Sequence, residues 1–307
     1  MTTSSEPVTV ASLDALISEG RNPDTMDIDT LPVETILARI NHEDANVAPA
    51  VSDVIPQIAD VVDAATVALS GHGRLIYVGA GTSGRLGILD AVECRPTFSV
   101  PDGLVIGVIA GGEQALTHAI EGAEDNAQQG GLDLAALSLT SEDVVVGLSA
   151  SGRTPYVSGA LAFARQRGCV TAAIACSHHA AIFEHADITL PVIVGPECLT
   201  GSTRMKSGTA QKLILNMIST ATMIRLGKTY QNLMVDVNAT NEKLKARAVR
   251  IVMQATDCDE QTARDTLQAA GNHTKTAILM LLTGCSASEA ADRLVRQNGF
   301  LRKAVTD

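Results

Sequence analysis

Three Gly/Ser/Thr-rich segments have the composition of anion-binding loops: GAGTSGR (Gly79 to Arg85), SASGRTP (Ser149 to Pro155) and TGSTRMKSGT (Thr200 to Thr209). Glycine lets the backbone approach a ligand, hydroxyls add donors, and the free N–H groups of a helix start favour negative charge. Such groups bind a phosphate. Each loop alone reads equally as a tight turn with an N-cap, but two of one design in one sheet favour a small phosphorylated ligand. Candidate hydroxyl donors are Thr82, Ser83, Ser149, Ser151 and Thr154, with Ser202 in the third loop. Arg85, Arg153, Arg204 and Lys206 can pair with a phosphate or a carboxylate, the alternative for each being a surface or interface ion pair. GAGTSG fits G-x-G-x-x-G, yet no acidic residue ends a second strand about 20 residues on, which argues against a dinucleotide, and no loop ends in G-K-[ST]. His178, His179 and His185 are the only histidine cluster and lack neighbouring ligands at metal spacing, so no metal is expected there.

Loops of this kind work at the carboxyl edge of a parallel sheet, where helix starts converge. The aliphatic runs LIYVG (75 to 79), LVIGVI (104 to 109), VVVGLS (144 to 149), VTAAIA (170 to 175) and ITLPVIV (188 to 194) supply the strands. Continuous apolarity means strands covered on both faces, and helix-length spacers between them mean βαβ crossovers. The expected fold is therefore α/β, with a five-stranded, mostly parallel, doubly wound sheet between helical layers. Ahead of it, apolar spacing from Val33 to Leu69 predicts two helices, with Pro32 and Pro49 in first turns and Pro56 kinking the second. After it, helices are predicted over Lys206 to Leu226, Asn238 to Gln254, Glu260 to Ala270, Lys275 to Leu282 and Ser286 to Gln297, with Asp259 and Ser286 as caps. Three regions follow: an N-terminal arm and helices (1–70), a phosphate-binding domain (71–230) and a small helical bundle (231–307).

Among 307 residues, 34 acidic against 23 basic side chains give a net charge of −11, and only four Phe and three Tyr are aromatic. Nucleic acid needs clustered cations and stacking platforms, so it is excluded as a partner, and sugar recognition by ring stacking is disfavoured. The ligand has to be held by hydrogen bonds and charge. Six cysteines without C-x-x-C spacing read as reduced thiols. With neither a signal-like N-terminus nor a run of about 18 apolar residues, the expectation is a cytoplasmic protein that makes no membrane contact.

The loops also carry a resemblance. GTS after the first strand and SxSGxT after the third resemble the phosphate loops of the sugar isomerase (SIS) domain, an αβα phosphosugar-binding fold. GAGTSGRLGILDAVECRPTF (79 to 98), EGAEDN (121 to 126), SASGRTPYV (149 to 157), TGSTRMKSGTAQKLILNM (200 to 217) and NLMVDVNATNEKL (232 to 244) resemble the N-acetylmuramic acid 6-phosphate etherase family. That resemblance implies a lyase of cell-wall sugar recycling, homodimeric and free of cofactors. It implies Glu93 and Glu124 as the catalytic pair, Glu124 the base and Glu93 the acid, and a third-loop carboxylate, Glu197, near sugar hydroxyls. By position alone Glu93 reads as a solvated carboxylate near a helix end and Glu124 as a surface charge beside Glu121 and Asp125.

A helix starting near Gly84 puts Glu93 roughly 13 Å along its axis from a phosphate at its start. Either that helix ends early, as Pro96 permits, or Glu93 serves the partner subunit's site; the second is the expectation. A phosphosugar-sensing regulator and a phosphosugar isomerase are the other functions this fold supports. Neither requires an acid at a C3 leaving group.

Overall fold

The computed structural model describes residues 17–236 and 242–307. The first half of the predicted N-terminal arm, and the predicted start of the helix at Asn238, lie outside these. The chain divides into two compact units: residues up to Ala91 with Gly103–Ile218, and Val92–Asp102 with Ser219–Asp307.

The first unit is built on a five-stranded sheet in the order β2-β1-β3-β4-β5, every pair parallel. The strands are β1 (Leu75–Gly79), β2 (Val105–Ile109), β3 (Val144–Leu148), β4 (Val170–Ala175) and β5 (Ile188–Pro191). All of β1 and β3 is buried, as their unbroken aliphatic runs require. Ahead of the sheet stand α1 (Val33–Asp44), α2 (Val47–Ser52) and α3 (Ile55–Ser70). The Val33–Leu69 stretch is thus three helices rather than two. Pro56 does not kink the last of them but lies in its first turn, where the missing N–H breaks no intrahelical bond.

Between strands run α4 (Gly81–Phe98), α5 (Ala127–Ala136) and α6 (Pro155–Gln166). Ile76, Val78, Val145, Ala173 and Ala175 form one face of the sheet and pack on Leu134 of α5 and on Tyr156, Val157, Ala160 and Leu161 of α6. Tyr77 and Leu148 face the other way, against Gly87 of α4. Helices therefore cover both faces, giving the expected three-layer, doubly wound arrangement. The Arg74 guanidinium clasps the Asp143 carboxylate at 2.7 and 2.9 Å, tying the entrances of β1 and β3 together.

The long α7 (Lys206–Arg225) leads towards the second unit. That unit contains the short hairpin β6 (Thr229–Tyr230) and β7 (Leu233–Met234), which the sequence did not signal, then α8 (Glu242–Thr256), α9 (Glu260–Ala269), α10 (Thr274–Thr283), α11 (Ala287–Arg296) and α12 (Leu301–Val305). Asp259 and Ser286 accept hydrogen bonds from Thr262 N and Glu289 N, as their cap positions predict. The core here is Val252, Ala263, Leu267, Ile278, Leu279 and Leu301. Asp236 receives both Lys228 and the mostly buried Lys275, whose ammonium burial holds below its ordinary pKa against the pull of that carboxylate.

Candidate active site

The sheet register decides where the loops begin. Ile109, Gly79 and Leu148, the last residues of β2, β1 and β3, stand side by side. Three segments leave this edge from neighbouring strands: GAGTSG, the segment that leads to Glu124, and SASGRT. The chain winds from β1 to β2 on one side and resumes at β3 on the other, so the edge between β1 and β3 is the topological switch point where open α/β sheets bind ligands.

The β1–α4 turn depends on its glycines. A Cβ on Gly79 would lie 2.7 Å from Gly84 N, and one on Gly84 would lie 2.8 Å from Gly79 O. Only glycine lets strand end and first helical turn touch this closely. Ser83 is buried in that turn and donates to Gln211 Oε1 of α7 at 2.8 Å. Thr82 lies beside α7 next to Gly208.

The loop after β3 is bonded to itself. Ser149 Oγ accepts from Gly152 N at 3.0 Å and shares a hydrogen bond with Thr154 Oγ1 at 2.7 Å, while Ser151 Oγ accepts from Arg153 N. Gly152 takes a positive φ of 72°, and its bare Cα packs on Ala180. Thr154 and Pro155 open α6, whose start receives no side-chain cap. The three predicted hydroxyls are thus gathered beside a helix start with unclaimed N–H groups. Arg153 and Arg204 are exposed.

Three expected ligand contacts have other partners. Glu197 was expected near sugar hydroxyls, yet it is fully buried and its carboxylate accepts from Lys206 N, Ser207 N and Ser207 Oγ at 2.9 to 3.0 Å. It caps α7, because the orphan N–H groups of a buried helix start need an acceptor. Lys206 was expected at an anion of the ligand and instead reaches Glu43 of α1 at 2.5 Å, both side chains buried. Arg85 donates to Leu116 O and His118 O, each at 3.1 Å. It fastens the segment that carries Glu124. Ser202 is half-buried in the loop before α7.

Both glutamates are exposed. Among the described residues neither side chain takes part in a hydrogen bond or an ion pair. Glu124 lies on a single 3-10 turn between Gly122, left-handed at φ 71°, and Asn126, whose side chain caps α5. Glu93 lies on α4, which runs unbroken through Pro96 to Phe98. The early helix end that Pro96 permits does not occur. No group of His, Cys, Asp and Glu among the described residues has a metal-holding arrangement.

Sequence reasoning gave no role to Gln211, although it lies inside the quoted TAQK; a polar residue on the buried stripe of an amphipathic helix was the available signal. Glu43 carried none, since NHED reads as a solvated cluster.

The chain is similar to known proteins along nearly its whole length. Models of the glucokinase regulatory protein N-terminal SIS domain, the SIS domain and the C-terminal lid domain of glucokinase regulatory protein match residues 57–165, 125–221 and 231–276. The N-acetylmuramic acid 6-phosphate etherase of Pseudoalteromonas atlantica is 59% identical over 97% of both chains. N-acetylmuramic acid 6-phosphate etherase 2 of Vibrio cholerae is 58% identical over the same share of each. Among solved structures, the phosphoheptose isomerase of Neisseria gonorrhoeae is 18% identical, with a TM-score of 0.46 over 62% of this chain and 98% of its own.

Proposed function

The chain belongs to the N-acetylmuramic acid 6-phosphate etherase family, and from that premise we propose how its own residues carry the reaction. It is a carbon–oxygen lyase of cell-wall sugar recycling, releasing D-lactate from N-acetylmuramic acid 6-phosphate and leaving N-acetylglucosamine 6-phosphate. An ether resists direct displacement because its alkoxide is too basic to leave. In the ring-opened sugar, however, the lactyl oxygen on C3 is β to the C1 aldehyde, which acidifies the C2 proton. A base takes that proton, an acid protonates the departing lactyl oxygen, and water then adds at C3 of the unsaturated aldehyde. General acid and base each contribute about 10²- to 10⁴-fold.

In our reading Glu124 is the base and Glu93 the acid. Ser83, Ser149, Ser151 and Thr154 hold the phosphate over the starts of α4 and α6, with Thr82 and Ser202 beside them, and Arg153 and Arg204 are the cations left for the lactyl carboxylate. The observation that carries this is the register-matched edge Ile109–Gly79–Leu148, which sends both hydroxyl loops and the Glu124 segment out from neighbouring strands. The working unit is a homodimer. Glu93 lies far along the helix whose start holds the phosphate in this reading, roughly 18 Å from Gly81 at 1.5 Å per residue, and so serves the other subunit's phosphate. The protein acts in the cytoplasm, a reading supported by its free cysteines and by the lack, among the described residues, of any helix long and apolar enough to cross a membrane.

The test is lactate release in labelled water. Solvent deuterium is expected at C2 and solvent oxygen at C3 of the sugar; oxygen label in lactate instead would overturn the elimination. Binding of the phosphosugar with no lactate formed would point to a sensor, and interconversion of aldose and ketose to an isomerase.

A further inference from the structure

Gln211 presents an anomaly beside the first phosphate loop. Its side chain is fully buried, its Oε1 accepts the Ser83 hydroxyl at 2.8 Å, and its Nε2 has no hydrogen-bond partner. A buried amide N–H without an acceptor is costly, and native structures keep few of them. The Ser83 bond and complete burial place the Gln211 amide against the first turn of α4.

A serine hydroxyl has one proton. In the observed arrangement the Ser83 proton goes to Gln211 Oε1 and is not available to an anion. A half-turn of the amide about its last bond exchanges the two roles. Nε2–H then donates to Ser83 Oγ, the unpaired position passes from an N–H to a carbonyl oxygen, which proteins tolerate more often, and the Ser83 proton is free to point at a phosphate oxygen. No covalent bond changes; one hydrogen bond reverses its direction and another forms to the anion.

We propose that Gln211 is a positioning residue for the phosphosugar, turning its amide when phosphate binds so that Ser83 becomes a phosphate donor. This rests on the reading of Ser83 as a phosphate ligand. Cooperative hydrogen bonds in a chain strengthen one another, so N–H···Oγ–H···phosphate makes Ser83 a better donor than a serine without that support. Gln211 itself stays one group removed from the substrate.

The test is steady-state lactate release by the full chain carrying Gln211→Met, Ser83→Ala or both, with inorganic phosphate as a competitive inhibitor. Gln211→Met keeps the volume and removes both amide groups. It is expected to raise KM, and the inhibition constant of phosphate, about tenfold, as for one charge-assisted hydrogen bond, with kcat changed less than about twofold. Ser83→Ala is expected to do the same, and the double variant no worse than Ser83→Ala alone, because the two residues act as one unit. Gln211→Glu, which accepts from Ser83 but has no N–H to give back, is expected to weaken phosphate further and supplies the comparison if the Met variant does not fold.

An unchanged KM in either Gln211 variant alongside a raised KM in Ser83→Ala overturns the proposal and leaves the phosphate site intact. So does a double variant in which the two losses multiply. An unchanged KM in Ser83→Ala removes the phosphate reading of Ser83 and this inference with it.

Discussion

The loop after β3 and the segment after β2 leave the same edge of the same sheet, yet they are held in opposite ways. Residues 149–154 are short and cross-linked by their own hydroxyls, with Ser149 and Gly152 buried. Residues 111–126 are nearly all exposed; the two carbonyl bonds of Arg85 hold residues 116–118, and Ala123 packs on the core at the far end. Local stability follows buried contacts and protected hydrogen bonds. The proposed phosphate loop is accordingly preorganised, whereas the proposed base Glu124 lies on a segment with few buried residues, Ala115 and the partly buried Ala123 among them. Binding and chemistry should therefore be separable by mutation, and each of the following changes tests that separation.

The largest effect is expected from Glu124→Gln, which removes the proposed base and leaves the hydroxyl loops alone. The rate of lactate release should fall about 10²- to 10⁴-fold. Deuterium exchange at C2 should stop, while calorimetry still detects N-acetylglucosamine 6-phosphate binding. Exchange that persists would assign the base elsewhere.

Asp143→Asn comes next, and it should strike both regions equally because Arg74–Asp143 ties the entrances of β1 and β3. Urea unfolding should show a loss of about 3 kcal/mol, the usual cost of removing one partner of a buried pair. Burial alone would raise the Asp143 pKa, but the bonds from Arg74 and from the Thr140 N–H hold it below the ordinary carboxylate value. Its stabilisation is therefore complete above the unfolded-state pKa of about 3.9 and disappears as the pH falls through the lower folded-state value. The variant should lose that part of the acid dependence.

Ser149→Ala should act on one region only. It leaves the buried Gly152 N–H without its acceptor, so KM should rise about tenfold and stability fall by about 1 to 2 kcal/mol, with kcat preserved. The smallest effect belongs to Arg85→Ala, which unfastens the Glu124 segment. A kcat about fivefold lower at constant KM is expected, in line with two solvent-screened hydrogen bonds. A raised KM instead would return Arg85 to the ligand.

The same contrast explains what was legible from sequence. All five strands were, because a strand covered on both faces has to be continuously aliphatic; only the ends slipped, as at ITLPVIV, where the strand closes at Pro191 beside Ala175, the last residue of β4, and Val192 N–H makes the final bond to Ala175 O. The Ser149–Thr154 loop was legible too, since its hydroxyls bond within six residues. Lys206 was not, because its partner Glu43 lies 163 positions away. Glu197 and Arg85 carried the right chemistry for a ligand but found acceptors and donors inside the protein first, and side-chain type alone does not distinguish those outcomes. The break between α2 and α3 was missed because the apolar spacing continues across it.

The buried Glu197 cap has a consequence for polarity. With its own anion built in, the start of α7 is electrically silent to solvent, whereas the start of α6 carries no acidic cap. On the proposed assignment, a substrate with an anion at each end meets an asymmetric socket in which a reversed pose finds no vacant positive pole at α7. In a protein of net charge −11, that reading gives an acidic side chain a part in which way round an acidic ligand sits.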